Sequence, residues 1–372
     1  MLRGAQQWLI PYLQSSVRRL DISPQRPLQA FIALCDHFEP LHRSDLAGAK
    51  QRVGVWSQRW PELVGSLRDH SGRGPRHSFF YPIEKYHPEL LKPLAELCAK
   101  TGSEVEVHLH HDNDDALALR SKLEEGVGNL RSHGLLGEDH QGKPRFAFIH
   151  GNWALDNSHP SGRRCGVDDE LAVLRQAGCF ADMTMPAAPD PCQSRQVNQI
   201  YYAKEDGMAR SHDRGVACVA GSGQDWRHSP EHLLMVQGPL ALNWRRRKWG
   251  LLPRLENAEV CASNPPSVQR LQLWLKHGPS VVHGPPWVFI KLHTHGGIEP
   301  NYQVLLGEAM RSFYRGLEEF AKQYPGFGFH FVTAREMVNL IHAAEDGLQE
   351  PTAAARNHLF AAPPILAGAS KS

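Results

Sequence analysis

The chain lacks both a strong net charge and a patterned set of cysteines. Its 41 Lys and Arg nearly balance 39 Asp and Glu, which leaves a net charge of +2. This is not the strongly basic footprint of a nucleic-acid-binding protein. The 7 cysteines include no CxxC pair. An odd, unpatterned set indicates reduced thiols in a cytoplasmic protein rather than a disulfide framework.

Long apolar segments and several common motifs are also missing. No run of about 18 apolar residues occurs, so we expect no membrane span. The N-terminus lacks the continuous apolar core of a signal peptide, which again favours the cytoplasm. The motifs GxxxxGK(S/T), GxGxxG, GxSxG and HExxH are absent. Their absence argues against P-loop, dinucleotide-binding and simple hydrolase-elbow proteins.

Histidine, in contrast, is abundant, with 22 residues in 372. Several histidines stand where an apolar, strand-like run ends, as in FIALCDHFEP, VEVHLHHDND, FAFIHGNW and WVFIKLHTHG. In an α/β barrel, side chains at the carboxyl ends of different strands meet in one pocket. Imidazole and carboxylate are ligands that zinc, nickel, iron and manganese accept. The pattern therefore predicts a metal-centred hydrolytic site.

Predicted strands and helices alternate along most of the chain. This rhythm indicates a parallel sheet, and about seven or eight units predict an α/β protein with a distorted (β/α) barrel. The irregular segment 186–265 is interpreted as an insertion over the barrel mouth. On this division, 1–27 is an N-terminal extension, 28–348 is a single barrel domain, and 349–372 is a flexible tail rich in Ala and Pro. The oligomeric state stays open.

The candidate metal ligands follow the first and third predicted strands. They are Asp36, His37, His108, His110 and Asp112. On an extended strand, His108 and His110 face the same side. Buried titratable groups at this density cost desolvation free energy unless a cation or hydrogen bonds compensate them.

Two neighbours of these ligands have simpler interpretations. His111 faces away from His108 and His110 on the strand, so we expect it behind the ligands or in solvent. Either Asp112 or Asp114 could instead cap the helix predicted at 114–132.

Asp36, Glu39, His293 and His295 are the candidate catalytic residues. Asp36 or Glu39 would accept the proton of a water molecule. His293 or His295, which share one face of a late strand, would protonate the leaving amine or alcohol. The alternatives are an Asp that caps a loop and a polar strand terminus without function.

Substrate contacts are predicted from the segment after the fourth strand. His150 ends this strand, Asn152 offers an amide, and Trp153 offers a flat face on which a sugar ring can stack. Asp182, at the end of the fifth strand, is expected to orient one of the imidazoles through a hydrogen bond. A core tryptophan beside a satisfied histidine is the alternative.

With these residues in view, the chain resembles a divergent member of the polysaccharide deacetylase superfamily, over 28–115 and more loosely over 285–340. Whole phrases such as HGNWALDN are similar to uncharacterised bacterial proteins of the glycoside hydrolase/deacetylase barrel type. The stretches that carry the resemblance are Cys35-Asp36-His37, Phe79-Phe80, Pro88-Glu89-Leu90-Leu91, GSEVEVH at 102–108 and Ile290-Lys291-Leu292-His293.

The resemblance implies a distorted (β/α) barrel, a divalent metal ion and removal of an acyl group from a carbohydrate. The catalytic base of the family corresponds to Asp36 in this sequence. The acidic metal ligand that follows this base in the family corresponds to His37. Its second metal histidine falls on Asp112, with His110 as a nearby substitute. The arginine–proline motif of the family is replaced by the segment that begins at His150.

We therefore predict a metal-dependent hydrolase of an acylated carbohydrate. Zinc is the first choice of metal, and nickel, cobalt, iron and manganese are alternatives. One rival is a glycoside hydrolase with Glu39 and Asp182 as paired carboxylates. A non-catalytic glycan-binding or scaffold barrel is the other. A carbohydrate is the expected partner in each case.

Overall fold

The computed structural model describes residues 5–15 and 27–367. The α-helices are α1 (Ala5–Ser15), α2 (Leu46–Val64), α3 (Pro88–Thr101), α4 (Ala116–Ser132), α5 (Glu170–Ala177), α6 (Val268–His277), α7 (Glu299–Leu305), α8 (Glu308–Gln323), α9 (Ala334–Glu345) and α10 (Pro364–Ala367). The strands are β1 (Leu28–His37), β2 (Ser78–Pro82), β3 (Glu104–Leu109), β4 (Gly137–Glu138), β5 (Pro144–His150), β6 (Cys179–Asp182), β7 (Ile200–Lys204), β8 (Gly215–Ala217), β9 (His232–Val236), β10 (Ala241–Lys248), β11 (Leu252–Glu256), β12 (Trp287–Thr294) and β13 (Phe327–Phe331).

In the described part of the chain, eleven of these strands form one mostly parallel sheet. The hydrogen-bonded order is β12-β1-β2-β3-β5-β6-β9-β7-β8, with β13 beside β1 and β4 beside β5. The strands from β12 to β9 run parallel, whereas β7 and β8 are antiparallel additions. The α/β class and the parallel sheet are thus confirmed, and closure into a barrel stays a prediction.

β1 is buried on both faces, as its nearly continuous apolar sequence requires. Phe31, Ala33 and Cys35 pack in a core that includes α9. Ile32 and Leu34 pack in the core formed with α2 and α3. Neighbouring side chains of a strand point to opposite faces, so these two sets separate by odd and even position.

The observed helix α3 agrees with the helix that its apolar stripe and its first and last residues predict. Pro88 stands at its first turn, where the missing N–H costs nothing. Gly102 ends it at φ 67°, a left-handed conformation that glycine adopts without strain. The stripe is buried, as expected, at Leu90, Leu91, Leu94, Leu97 and Cys98.

The segment 186–265 is more than an insertion at the edge of the sheet. β9 lies within it and pairs parallel with β6, which makes it part of the main sheet. β7 and β8 extend the sheet beyond β9, and β10 and β11 form a separate hairpin. This corrects the sequence-based division, which assigned the whole segment to an insertion.

The C-terminal segment, predicted to be a flexible tail, is packed as far as residue 367. The Asn339 side chain on α9 accepts hydrogen bonds from the N–H groups of Leu359 and Phe360. Arg335 donates to the carbonyl of Phe360, and Arg356 is 3% exposed. Because these partners are buried, the prediction of a fraying tail is wrong for 349–367; residues 368–372 lie outside the described part.

The N-terminal extension is described only at α1. Trp8 on this helix is fully buried against Ala188, Val197 and Leu240. Within the described ranges, none of the helices combines the length and apolar character that a membrane span needs.

Candidate metal centre

Histidine rings from three parallel strands meet beyond the carboxyl end of β1. The ring centroid of His37 lies 4.8 Å from that of His108, 6.1 Å from that of His293 and 4.7 Å from that of His295. β1, β3 and β12 run parallel in one sheet, so their carboxyl ends lie on the same side. The structure thus brings together imidazoles that are about 70 to 260 positions apart in the sequence.

His37, Glu39 and His108 form the donor group at the centre of this cluster, with ligand atoms within 4.8 Å of one another. His108 Nδ1 lies 2.9 Å from the carbonyl of Ile149, which can only accept, so this nitrogen carries a proton. In the neutral ring, Nε2 then has only a lone pair, and it lies 3.4 Å from a Glu39 oxygen. Two facing acceptors require a proton or a metal ion between them.

His37 has the protonation state of a metal ligand. Both of its ring nitrogens are buried without a hydrogen-bond partner among the described residues. Burial first, and then the neighbours His295, His108 and His293, lower the pKa of His37 well below its usual value. The ring is therefore neutral at neutral pH, and a neutral imidazole binds metal ions.

Glu39 connects the cluster to an open cavity. Burial would raise the pKa of this carboxyl group, but the imidazoles of His108, His110 and His295 lower it to about 2. The side chain is 15% exposed and lines a cavity of about 430 Å³. An ionised carboxylate at the boundary between the cluster and the cavity is a suitable metal ligand with solvent access.

His110 lines the same cavity but lies outside the donor group. Its Nδ1 is 2.7 Å from a Glu84 oxygen, and its Nε2 is 3.6 Å from Glu39. Burial opposes the charge on the ring, yet the hydrogen bond to Glu84 and the charge of Glu39 raise the pKa of His110. The predicted ligand is thus a histidine that holds a proton beside the cavity.

Asp36, predicted as both ligand and base, faces the opposite side of β1 from His37. One oxygen is 2.9 Å from His77 Nε2, and the other accepts a hydrogen bond of 2.5 Å from the N–H of Gly296. The reason is the strand alternation, which directs Asp36 toward α2 and Trp56. The position of Asp36 corrects its assignment as a metal ligand.

Asp112, the other predicted carboxylate ligand, is directed away from the cluster. Its carboxylate accepts hydrogen bonds of 2.6 Å from the Arg163 guanidinium and from the N–H of Arg164. β3 ends at Leu109, so the strand alternation no longer fixes the direction of the side chain at position 112. The assignment of Asp112 as a ligand is therefore corrected.

His293 and His295 belong to the cluster, but their electrostatics do not favour a general acid. Burial, followed by Lys291, lowers the pKa of His293 well below its usual value. Burial also lowers the pKa of His295, against the opposing charges of Glu39 and Asp36. Both rings are neutral at neutral pH, so they are better proton acceptors than donors.

The segment after β5 covers the cluster with Trp153. The Trp153 ring lies 5.1 Å from that of His37 and 5.5 Å from that of His293. Asn152 does not face the cavity, because its amide donates to the carbonyls of His111 and Arg164. The prediction that Asn152 contacts the substrate is therefore wrong; its hydrogen bonds stabilise this loop instead.

Asp182 is bound to Thr184 and makes no hydrogen bond with an imidazole among the described contacts. Its carboxylate accepts hydrogen bonds from the N–H of Thr184 and, at 2.7 Å, from the hydroxyl of Thr184. The same hydroxyl oxygen accepts a hydrogen bond from the N–H of His150. Burial raises the pKa of Asp182 to about 7. The prediction that Asp182 hydrogen-bonds to an imidazole is therefore wrong, because Thr184 lies between Asp182 and the backbone of His150.

A second group of donors lies behind the first. His111, His150, Cys165 and Glu170 are all buried, and their ligand atoms lie within 4.8 Å of one another. This buried group could also hold a metal ion. Sequence reasoning set His111 aside and assigned His150 to the substrate. It missed Cys165 and Glu170, since no spacing motif connects them to the histidines.

Comparison with known proteins adds no identification. No protein-family model matches the chain, and no curated protein is significantly similar to it. The resemblance to polysaccharide deacetylases therefore stays a prediction.

Proposed function

We propose that the protein is a metal-dependent hydrolase that removes an acyl group from a carbohydrate, with His37, Glu39 and His108 as the metal ligands. One observation carries the proposal: His108 Nε2, buried without a hydrogen-bond partner among the described residues, lies 3.4 Å from a Glu39 oxygen beside a neutral His37 that also lacks partners. Two imidazoles and one carboxylate are a common set in catalytic zinc sites, which keep one position open.

A divalent cation in this group, with zinc as the first choice, would supply an activated water molecule and polarise the acyl oxygen. His295, with a neutral ring next to that of His37, would accept the proton of the water. His110 would donate a proton to the leaving group, because it lines the cavity and Glu84 holds its other nitrogen. Asp36 positions the segment after His295 through the N–H of Gly296.

A closed barrel is part of this proposal. Lys291 on β12 donates hydrogen bonds to the carbonyls of Met183 and Met185, directly after β6. β12 and β6 are separated by five positions in the hydrogen-bonded order of the sheet. A contact between such distant strands supports a sheet that curves back on itself.

The carbohydrate part of the proposal rests on the resemblance and on Trp153. This partly exposed ring lies beside the imidazole cluster, where the face of a sugar could stack on it. The cavity next to Glu39 has about 430 Å³, within the usual range of small-ligand pockets.

The test combines elemental analysis with acetate release from acetylated amino-sugar oligomers. Glu39→Gln and His108→Ala should each lose the metal of this centre and reduce kcat/KM by about 1000-fold or more. The far-ultraviolet circular dichroism should not change. His228→Ala, at an exposed histidine, is the control. If His108→Ala kept this metal, the ligand assignment would be wrong.

A further inference from the structure

We propose that His111, His150, Cys165 and Glu170 form a second, closed zinc site that fixes the segment 151–169 beside the first centre. The site goes beyond the hydrolytic function, because its four protein donors complete a tetrahedral zinc sphere and leave no position for substrate. No spacing motif marks this site in the sequence, because the donors come from the loop after β3, the end of β5, the loop after β5 and the start of α5.

The spacing of the donors fits a tetrahedral ion. His111 Nε2 lies 3.0 Å and His150 Nε2 lies 3.9 Å from one Glu170 oxygen. Cys165 Sγ lies 3.4 Å from the other Glu170 oxygen. Zinc bonds of about 2.0–2.3 Å place tetrahedral donors about 3.3–3.8 Å apart. Small side-chain shifts would therefore bring all four onto one ion.

A carboxylate behind one of the ligands supports the assignment. His111 Nδ1 lies 3.2 Å from an Asp114 oxygen, close to it but not hydrogen-bonded, while its Nε2 points toward Glu170. Lys122 in turn donates to Asp114. Histidine ligands of zinc commonly donate their second N–H to a carboxylate, which fixes the ring orientation.

Part of the group lacks polar partners without an ion. All four side chains are buried, and His150 Nε2 has no hydrogen-bond partner among the described residues. Three contacts must change when the ion binds. His111 Nε2 and the Cys165 thiol hydrogen-bond to Glu170, and each would release its proton to bind the ion. The third contact is made by His150. The N–H of Asn152 lies 3.1 Å from His150 Nδ1. In a neutral ring bound through Nε2, Nδ1 carries a proton, so this contact would lengthen.

The location of the site explains what it would do. The segment 151–169 contains four non-glycine residues with positive φ, Trp153, Asp156, Asn157 and Arg164, a conformation that costs free energy. His150 and Glu170 stand at its two ends, and Cys165 lies within it. An ion bound to all three would hold the segment, and with it the Trp153 ring next to His37.

Metal counts on the full-length protein test the proposal. With both centres loaded, the wild type should hold two zinc ions per chain, a count that rests on the proposed function for the first. Cys165→Ser and His111→Gln should each lose one ion, and so should His37→Ala. Cys98→Ser, at another buried cysteine, should keep both.

Cobalt distinguishes the two centres, because only the second contains sulfur. Cobalt-loaded wild type and His37→Ala should both show a thiolate-to-cobalt charge-transfer band in the near ultraviolet. Cys165→Ser should lack it. Absence of this band from the wild type would overturn the second site whether or not a variant folds. If Cys165→Ser lost the sole ion and His37→Ala retained it, the first centre would fail instead and this one would stand.

Discussion

At the scale of single residues, the end of β1 divides its side chains between two tasks. His37 points into the imidazole cluster, whereas Asp36 points to the other face of the strand. There Asp36 accepts the N–H of Gly296, the residue that follows His295. The Asp36 carboxylate therefore helps to fix the position of His295. Glycine is required at position 296 because a side chain there would overlap this carboxylate.

Gly296→Ala should reduce the proposed hydrolytic activity while leaving the fold intact. A Cβ at position 296 would overlap the Asp36 carboxylate and lie 2.8 Å from the Trp56 ring. We expect kcat/KM to fall by about 100-fold, because a shift of about 1 Å in a catalytic group has such an effect. Gly54→Ala, where a Cβ meets nothing within 4 Å, is the matched control. Equal activity of the two variants would contradict this role for Asp36.

Asp182 should make stability depend on pH. Burial raises its pKa from 3.8 to about 7 in the folded protein. Between these values the folded state keeps a proton that the unfolded state has lost, so this stabilisation is present at low pH and is lost as pH rises. Between pH 5 and 8, the free energy of unfolding of Asp182→Asn should rise by about 3 kcal/mol relative to that of the wild type. Urea unfolding at several pH values measures this difference. A constant difference would show that Asp182 ionises normally.

At the scale of elements, α4 contains two glycines whose surroundings differ. Gly128 faces open space, whereas a Cβ at Gly126 would lie 2.5 Å from Ile83 Cβ. Glycine weakens the interior of any helix, and at position 126 the close packing against Ile83 leaves no room for a larger residue. Gly126 therefore permits the close approach of α4 to the segment after β2, which carries Glu84.

Alanine at these two positions should have opposite effects. Gly128→Ala should raise the free energy of unfolding by about 0.5–1 kcal/mol through helix propensity. Gly126→Ala should lower it by about 1–3 kcal/mol through overpacking against Ile83. Chemical denaturation of both variants measures this difference. Stabilisation by both would indicate that the helix moves away from Ile83 at little cost.

At the scale of the whole molecule, the C-terminal segment closes one side of the core. Arg335 on α9 forms a buried pair with Glu104 on β3 and also donates to Asn357 and Phe360. Glu138 and Ala361 form a β-bridge that attaches the same segment to β4. The segment thus connects α9 to the sheet that carries the proposed metal ligands.

A chain that ends at Leu348 should be much less stable than the full chain. Truncation would leave buried donors of Arg335 and Asn339 without partners, each costing about 1–3 kcal/mol. We expect a loss on the order of 5 kcal/mol in total, seen as a lower Tm in thermal unfolding. Glu350→Ala, at an exposed position of the segment, is the control. An unchanged Tm would restore the interpretation of a flexible tail.

The sequence alone was sufficient for features that follow from periodicity. Alternating strand and helix patterns determined the α/β class and the parallel sheet. Parallel strands share a carboxyl edge, so histidines at the ends of strands were expected to lie close together, and His37, His108, His293 and His295 do. These inferences needed only the spacing of residues within each strand.

The tertiary structure alone decided how side chains turn once a strand has ended. Beyond that point the period of two no longer applies, and distant partners set the direction. Asp112 turns outward to Arg163, and His111 turns inward to Glu170. Cys165 lies next to His111 because the loop after β5 packs against the segment that follows β3, where the N–H of Asp114 donates to the carbonyl of Cys165. Such contacts depend on long-range packing, which no local pattern in the sequence encodes.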